Sequence, residues 1–404
     1  MSPPETSDDS TSYTHPSESS PVVVSDESLW WETLTTKEQD EYASRINGPL
    51  ISRPDLLIVG CGLAGLATGC LAAEKGLSVQ LLDARGLQKG IPDLDAGMIW
   101  PIRAALSGEE SDRDFLLYCR DAWSRLTVRP GIDLNWKVCG LLATPTSPLT
   151  HALLPEAEHR QAEGWPIQEV EPSQVETMEP ALTFPSSTGL FCPGEGVLHP
   201  LRAALSFLRR IAAKNGGCRT GVQIDSVEIV SNRLQSVTTS AGKFEPKQIL
   251  FATEQIPQEL AGTMPVPSLD GQELLMGMTR SFMPMLRHAV SDTVEVQQLK
   301  TGEMIVGALQ PRRTPEEDSL RDLDTKLRDL FADEPLMKCV KLMRQEVRRP
   351  KTFQPDVRQL STVQNAWWLP GLRDETLQCV GTGQLILDWI TTGKQPERLT
   401  TSSA

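Results

Sequence analysis

Gly60-Cys61-Gly62-Leu63-Ala64-Gly65 sets three glycines at a spacing that lets a backbone turn wrap around a diphosphate. Gly60 permits the tight turn, Gly62 lets the main chain approach a pyrophosphate, and Gly65 with Gly69 lets a helix lie close to neighbouring strands. The free N–H groups at that helix's positive end, from Leu63 and Ala64, would face phosphate oxygens. Asp83 follows 23 residues after Gly60, about where a carboxylate accepts hydrogen bonds from a ribose diol. An aspartate there repels a 2′-phosphate and disfavours NADP. The bland alternative is a glycine-rich turn kept only for packing.

Other reactive side chains offer less. The eight cysteines show no C-x-x-C spacing, so they read as small buried apolar residues and not as a metal or dithiol site. His199 and His288 have no spaced partners and read as structural. Arg344, Arg348 and Arg349 with Glu346 offer a salt-bridged surface, and Arg373 is flanked by Asp374 and Glu375, which would neutralise it locally.

The elements around the turn are legible. Asp55–Val59 is a continuous apolar run, as expected of a parallel strand covered on both faces. Leu66–Lys75 reads as a helix stopped by Gly76, and Ser78–Leu82 as a second strand. Downstream, Leu201–Ala213 reads as a helix, and residues 221–229, 235–239, 248–252 and 304–308 as strands. Thr382-Gly383 would open an apolar helix from Gln384 to about Thr391, which means that a nucleotide domain is assembled from both ends of the chain. Trp367-Trp368 reads as core, and residues 316–333 as a charged, solvated helix.

Residues 1–28 are polar and acidic and are expected to be disordered, followed by a short helix and linker over 29–53 with a Thr36-x-x-Gln39 capping pattern. Ten carboxylates against two basic residues in the first 50 positions leave only −6 of the −14 net charge for the other 354 residues. The body therefore lacks the basic field that nucleic acid or anionic lipid requires. No apolar run approaches the roughly 20 residues of a membrane span, and no secretory signal begins the sequence, so a cytoplasmic location is expected.

Taken together, these segments resemble the D-amino acid oxidase family of FAD enzymes, most nearly its glycine oxidase and sarcosine oxidase branch, over roughly residues 54–397. The resemblance rests on Gly60 to Asp83, on Asp95-Ala96-Gly97-Met98, and on Gly140-Leu141-Leu142 with Glu179-Pro180-Ala181-Leu182. It continues through Gly196-Val197-Leu198-His199-Pro200, Gly302 to Ala308, Arg349-Pro350 and Thr382-Gly383. It implies an α/β fold. A Rossmann-type FAD-binding domain would be built from residues 54–97, 188–262 and 350–397. An antiparallel-sheet substrate domain would come from residues 98–187 and 263–349, with 398–404 a tail.

The resemblance further implies noncovalent FAD. Asp83 and Ala84 would lie at the adenosine ribose, Arg85 near the phosphates, and the backbone of Ile224 at the adenine. Ala252 and the Ala96-Gly97-Met98 turn would lie along the cofactor, and Gly383 would start the helix aimed at the flavin pyrimidine. Arg349 and Arg373 would match the arginines that grip a substrate carboxylate. The implied reaction is oxidation of a C–N bond in a small amine or amino acid by hydride transfer to flavin N5. The alternatives are a flavin-binding member with lost or altered catalysis serving as a subunit or regulator, and an NAD-binding protein. The implied partner is a small molecule, with a homo-oligomer or protein partner left open.

The chain departs from the family pattern at Pro92, at Thr253-Glu254, and at Pro370-Gly371-Leu372-Arg373-Asp374-Glu375, where a histidine and a glycine are lost. A carboxylate such as Glu375 beside a flavin that becomes anionic on reduction would oppose that reduction.

Overall fold

The structure, a computed structural model, describes residues 23–24, 28–85, 97–106, 110–127, 134–183, 187–261, 269–283, 285–310, 316–331 and 337–399. Pro92, Asp95, Ala96, most of residues 1–28 and residues 400–404 lie outside that set.

The apolar run expected around the glycine turn is strand β1 (Leu56–Val59), and helix α1 (Leu63–Glu74) leads from it to β2 (Val79–Asp83). Strands β3 (Gly217–Thr220), β4 (Gln248–Phe251), β5 (Arg358–Gln359) and β6 (Ala366–Trp368) complete a six-stranded sheet in the order β3-β2-β1-β4-β6-β5. Its pairings are parallel except β5 with β6. Every residue of α1 from Leu63 to Ala73 is buried. That is possible because its residues are small: a Cβ on Gly69 would already touch the Leu81 and Ile58 side chains at 3.2 and 3.3 Å. Three further helices, α2 (Glu110–Thr127), α3 (Pro200–Ala213) and α4 (Glu375–Thr392), pack on this side, with α1 between α3 and α4.

A second sheet has nine strands, mostly antiparallel, centred on Leu269–Thr279 paired with Cys339–Pro350 and Met304–Gln310. Successive residues alternate between its faces. Leu275, Val306 and Val296 join Leu323 and Leu327 of the helix Glu316–Leu330, whereas Leu274, Met276 and Ile305 join the core shared with α1 to α4. Gly189–Cys192, expected on the nucleotide side of the 188 boundary, pairs instead with Leu141–Ala143 and Gln168–Val170 in this sheet. Its apolar alternation suits either sheet, and long-range pairing decides. In the arginine cluster, Arg348 pairs with Glu346 at 3.7 Å, as one alternative expects, while Arg344 bonds Glu273 on the adjacent strand.

Residues 28–46 dock against the body. Leu29–Glu32 and Thr36–Arg45 are helices, and Leu29, Trp30 and Tyr42 are buried. The capping box is one residue earlier than expected: Thr35 caps the Glu38 amide while Glu38 returns to the Thr35 amide. Among the described residues no helix is long and apolar enough to cross a membrane.

Candidate functional site

At the end of β1, Gly60 turns with φ +108°, and a Cβ there would lie 2.1 Å from the Ala252 carbonyl oxygen. A Cβ on Gly65 would lie 2.1 Å from the Gly60 oxygen, so both positions admit only glycine. Gly62 sits at the N-cap of α1 and contributes no side-chain cap. The Asp83 carboxylate accepts from the Cys61 amide at 2.8 Å and from the Arg85 amide at 2.7 Å, which fixes it beside the turn. Ala84 and Arg85 are exposed at the mouth of this turn. The Asp83 carbonyl accepts from the Val222 amide at 2.9 Å, which carries Ile224, first residue of the strand Ile224–Val230, to the same end of the sheet. Gly97 has φ +71° and its carbonyl accepts from the Leu198 amide at 2.8 Å; Met98 pairs with Val197. Five expected cofactor positions therefore gather at one end of the parallel sheet: Gly60, Gly62, Asp83, Ile224 and Ala252.

The second helix is placed differently from expectation. α4 begins at Glu375, with Asp374 as N-cap, so Thr382 and Gly383 lie mid-helix and start nothing. A Cβ on Gly383 would stand 2.9 Å from Thr68 Oγ1 and 3.1 Å from the Thr68 nitrogen. The glycine is there to let α4 touch α1. Thr382 is fully buried, and its Oγ1 has no hydrogen-bond partner among the described residues.

Two adjacent carboxylates divide the work at the start of α4. Asp374 Oδ1 accepts from the Leu377 amide at 3.0 Å and caps α4 itself, while Oδ2 takes Arg103 at 2.8 Å. Glu375 reaches the other helix: its Oε1 accepts from the Ala64 amide at 3.1 Å, and the Leu63 amide also bonds its carboxylate. Glu375 is half-buried, and burial dominates its ionisation. Burial pushes its pKa from 4.5 up to about 7, against the opposing pull of those two amides, Arg349 and Arg85.

Beside this point a cleft of about 310 Å³ opens between the large sheet and the start of α4, lined by Arg103, Arg349, Arg373, Glu295, Asp374 and Phe353 among others. Arg373 stacks over Phe353 at 4.5 Å and donates to the Lys351 carbonyl. Arg103, which the sequence did not single out, bridges Asp374 and Glu295. Nothing in its neighbourhood in sequence marks it; its partners stand 192 and 271 positions away.

A family model described as FAD dependent oxidoreductase matches residues 55–389. The chain belongs to that family. Crystal structures of glycine oxidase from Bacillus cereus ATCC 14579 and from Geobacillus kaustophilus share its fold, with TM-scores of 0.75 and 0.73 at 14% and 20% identity. They cover 84% and 87% of this chain, and 96% of each of those chains. L-proline dehydrogenase from P. horikoshii follows at TM-score 0.71 and 14% identity, covering 85% of this chain and 95% of that one. A curated relative, N-methyl-L-tryptophan oxidase of Yersinia pestis (strain Pestoides F), is 22% identical over 219 residues, which is 52% of this chain. The chain spans 56% of the length of that relative.

In this FAD dependent oxidoreductase family member, the residues present fit the adenosine side of the cofactor. The cradle at Gly60 and Gly65 admits no Cβ, and Asp83 is oriented by two amides beside it. At the first turn of α1, the amides expected at the diphosphate meet the Glu375 carboxylate. Other expected residues are structural. His199 is buried and caps α3, its Nδ1 accepting from the Arg202 amide at 3.3 Å and its Nε2 bonded to Thr33 Oγ1 at 2.8 Å. His288 is not alone, since its Nδ1 and main-chain nitrogen both meet Glu179 Oε1. All eight cysteines are free thiols, and seven are buried.

Proposed function

We propose that this protein is an FAD-dependent oxidoreductase that oxidises the C–N bond of a small amine or amino acid, with the cofactor held noncovalently. The observation that carries this reading is the meeting of Arg349 and Arg373 in one cleft beside the dinucleotide turn, in a chain of the FAD dependent oxidoreductase family. Residues remote in sequence, on a strand of the large sheet and on the loop before α4, line the same space.

Asp83 would hold the ribose diol, and the Leu63 and Ala64 amides the diphosphate, at the positive end of α1. The Arg349 guanidinium offers a planar fork for a substrate carboxylate, a geometry that an ammonium does not reproduce. Arg373, packed on Phe353, supplies a second cation on the same wall. Arg103 bonds both Glu295 and Asp374, which holds the two carboxylates in place on the wall of the cleft. Bound FAD supplies the hydride acceptor, at flavin N5, for the hydrogen on the carbon next to nitrogen. The nitrogen lone pair assists that departure, so the amine reacts in its neutral form and no protein base is assigned. The imine then hydrolyses in water.

The direct test is anaerobic addition of glycine, sarcosine, proline, D-alanine or N-methyl-L-tryptophan to the flavin-loaded protein. Bleaching of the flavin band by one of them is expected; no bleaching by any amine or amino acid tried sinks the reading. With a reducing substrate in hand, Arg349→Lys should raise KM by about tenfold or more through loss of the bidentate contact. An unchanged KM removes Arg349 from the site.

A further inference from the structure

We infer that Glu375 is an internal anion that occupies the diphosphate donors of α1, so that this one side chain determines how readily the chain takes up its cofactor. The inference rests on the FAD reading above.

The first amides of a helix have no partners within it, and the aligned peptide dipoles favour negative charge there. In α1 the residue at the cap is Gly62, which has no side chain to satisfy them. A cofactor phosphate is one answer, and Glu375 is another. Its Oε1 takes the Ala64 amide at 3.1 Å, and the Leu63 amide points to the same carboxylate. The two answers exclude each other: each amide has one hydrogen to give, and two anions at contact distance in a partly desolvated site repel strongly.

The carboxylate is well placed to stay. α4 is locked against α1 where Gly383 meets Thr68, so the helices do not slide to withdraw it. Neighbouring Asp374 is already committed to the Leu377 amide and to Arg103, and does not share the task. Departure therefore means rotation of the Glu375 side chain alone.

Its charge state sets how strongly it holds on. The groups facing it are Arg85 beyond β2, Arg349 from the large sheet, Asp374 beside it and Cys379 one turn along α4; Asp83 stands on the far side of the turn, bonded to the Cys61 amide. The arginines do not titrate between pH 6 and 8, and burial drives the Cys379 thiol well above that range. Burial brings Glu375 itself to about 7. Above that pH it is a charged acceptor; below it, a neutral one of roughly half the strength. It then also ceases to repel a diphosphate. If only the protonated form yields the site, FAD affinity falls about tenfold from pH 6 to pH 8.

The test is titration of the full-length protein, stripped of flavin, with FAD at pH 6 and pH 8, followed by flavin fluorescence, for the wild type, Glu375→Ala and Glu375→Gln. The wild type should bind about tenfold more tightly at pH 6. Glu375→Ala should bind at pH 8 about tenfold or more tightly than the wild type, with no pH dependence. Glu375→Gln, which keeps an acceptor for both amides without the charge, should also be flat with pH. Should Glu375→Ala fail to fold in a thermal melt, the comparison of slopes between the wild type and Glu375→Gln decides. If the variants bind FAD with the wild-type affinity and the wild-type pH profile, Glu375 is not the determinant and the FAD reading stands. If none of the three binds FAD at either pH, both the inference and the reading beneath it fall.

Discussion

Glu195 shows how a single residue can set a pH dependence without touching the site. It lies between the strands Gly189–Cys192 and Gly196–Val197, fully buried, and its Oε2 has no hydrogen-bond partner among the described residues. Burial raises its pKa from 4.5 to about 8, which Arg120, the Ile102 amide and Arg103 oppose without reversing. A carboxyl raised in this way keeps a proton in the native state that the unfolded chain loses, so stability falls as pH climbs from 4.5 toward 8. The full penalty above that range is roughly 5 kcal/mol. Glu195→Gln keeps the shape and removes the charge. Its stability advantage in urea unfolding should grow from near zero at pH 4 to that order at pH 9. Parallel pH profiles for the two proteins would show that the carboxyl is not perturbed. No sequence signal foretold this: a glutamate in a glycine-rich stretch reads as solvated, and the enclosing residues Ile102, Arg103 and Arg120 come from elsewhere in the chain. The family resemblance sets Glu375 beside the flavin ring. Its bond to α1 follows from where α4 begins, which one sequence does not reveal.

At the scale of elements, legibility tracked locality. The unit from Leu56 to Asp83 could be read because strand, turn, helix and acid all specify themselves within 28 residues. Gly381-Thr382-Gly383 looks like a helix start, whereas α4 begins at Glu375 and these glycines answer a contact. A Cβ on Gly381 would stand 2.6 Å from Cys119 Sγ and 3.0 Å from Cys119 Cα in α2, and the one on Gly383 would press the backbone of α1. Gly381→Ala gains up to about 1 kcal/mol of helix propensity and meets an overpacking cost of roughly 1–3 kcal/mol, so net destabilisation is expected. Gly371→Ala, where a Cβ would meet nothing within 4 Å, is the control and should be neutral or slightly stabilising, by under about 1 kcal/mol. Equal melting temperatures for the two variants would show that α4 does not need glycine where it crosses α2.

At the scale of the whole molecule, the segment before β1 ties the two sheets together rather than patching one surface. Val23–Val24 pairs in parallel with Cys339–Pro350 at the edge of the large sheet, and Lys341 on that strand meets Glu32. Farther along, Glu38 and Glu41 form forked pairs with Arg202 and Arg209 of α3, which lies against the parallel sheet. Burial alone would raise the pKa of Glu38, but the hydrogen bonds from Arg202 and Thr35 outweigh it and bring it down to about 2. That contribution is present above pH 4.5 and is lost as pH falls toward 2. Part of the acidic excess near the N-terminus thus has addresses on the body. Trp30 is the centre of the strap, wholly buried with its ring 4.8 Å from that of His199. Burial there lowers the His199 pKa to about 3, so the imidazole stays neutral and remains able to accept the Arg202 amide that starts α3. Trp30→Ala removes the lid and should cost roughly 3–5 kcal/mol. It should also let the His199 pKa climb back toward 6.5, observable in the imidazole proton shifts. Because the strap bonds to both sheets, the loss should lower the temperature of one shared unfolding transition. A separate early transition, with the main one unmoved, would mean that the strap melts by itself and carries none of the joining role assigned to it.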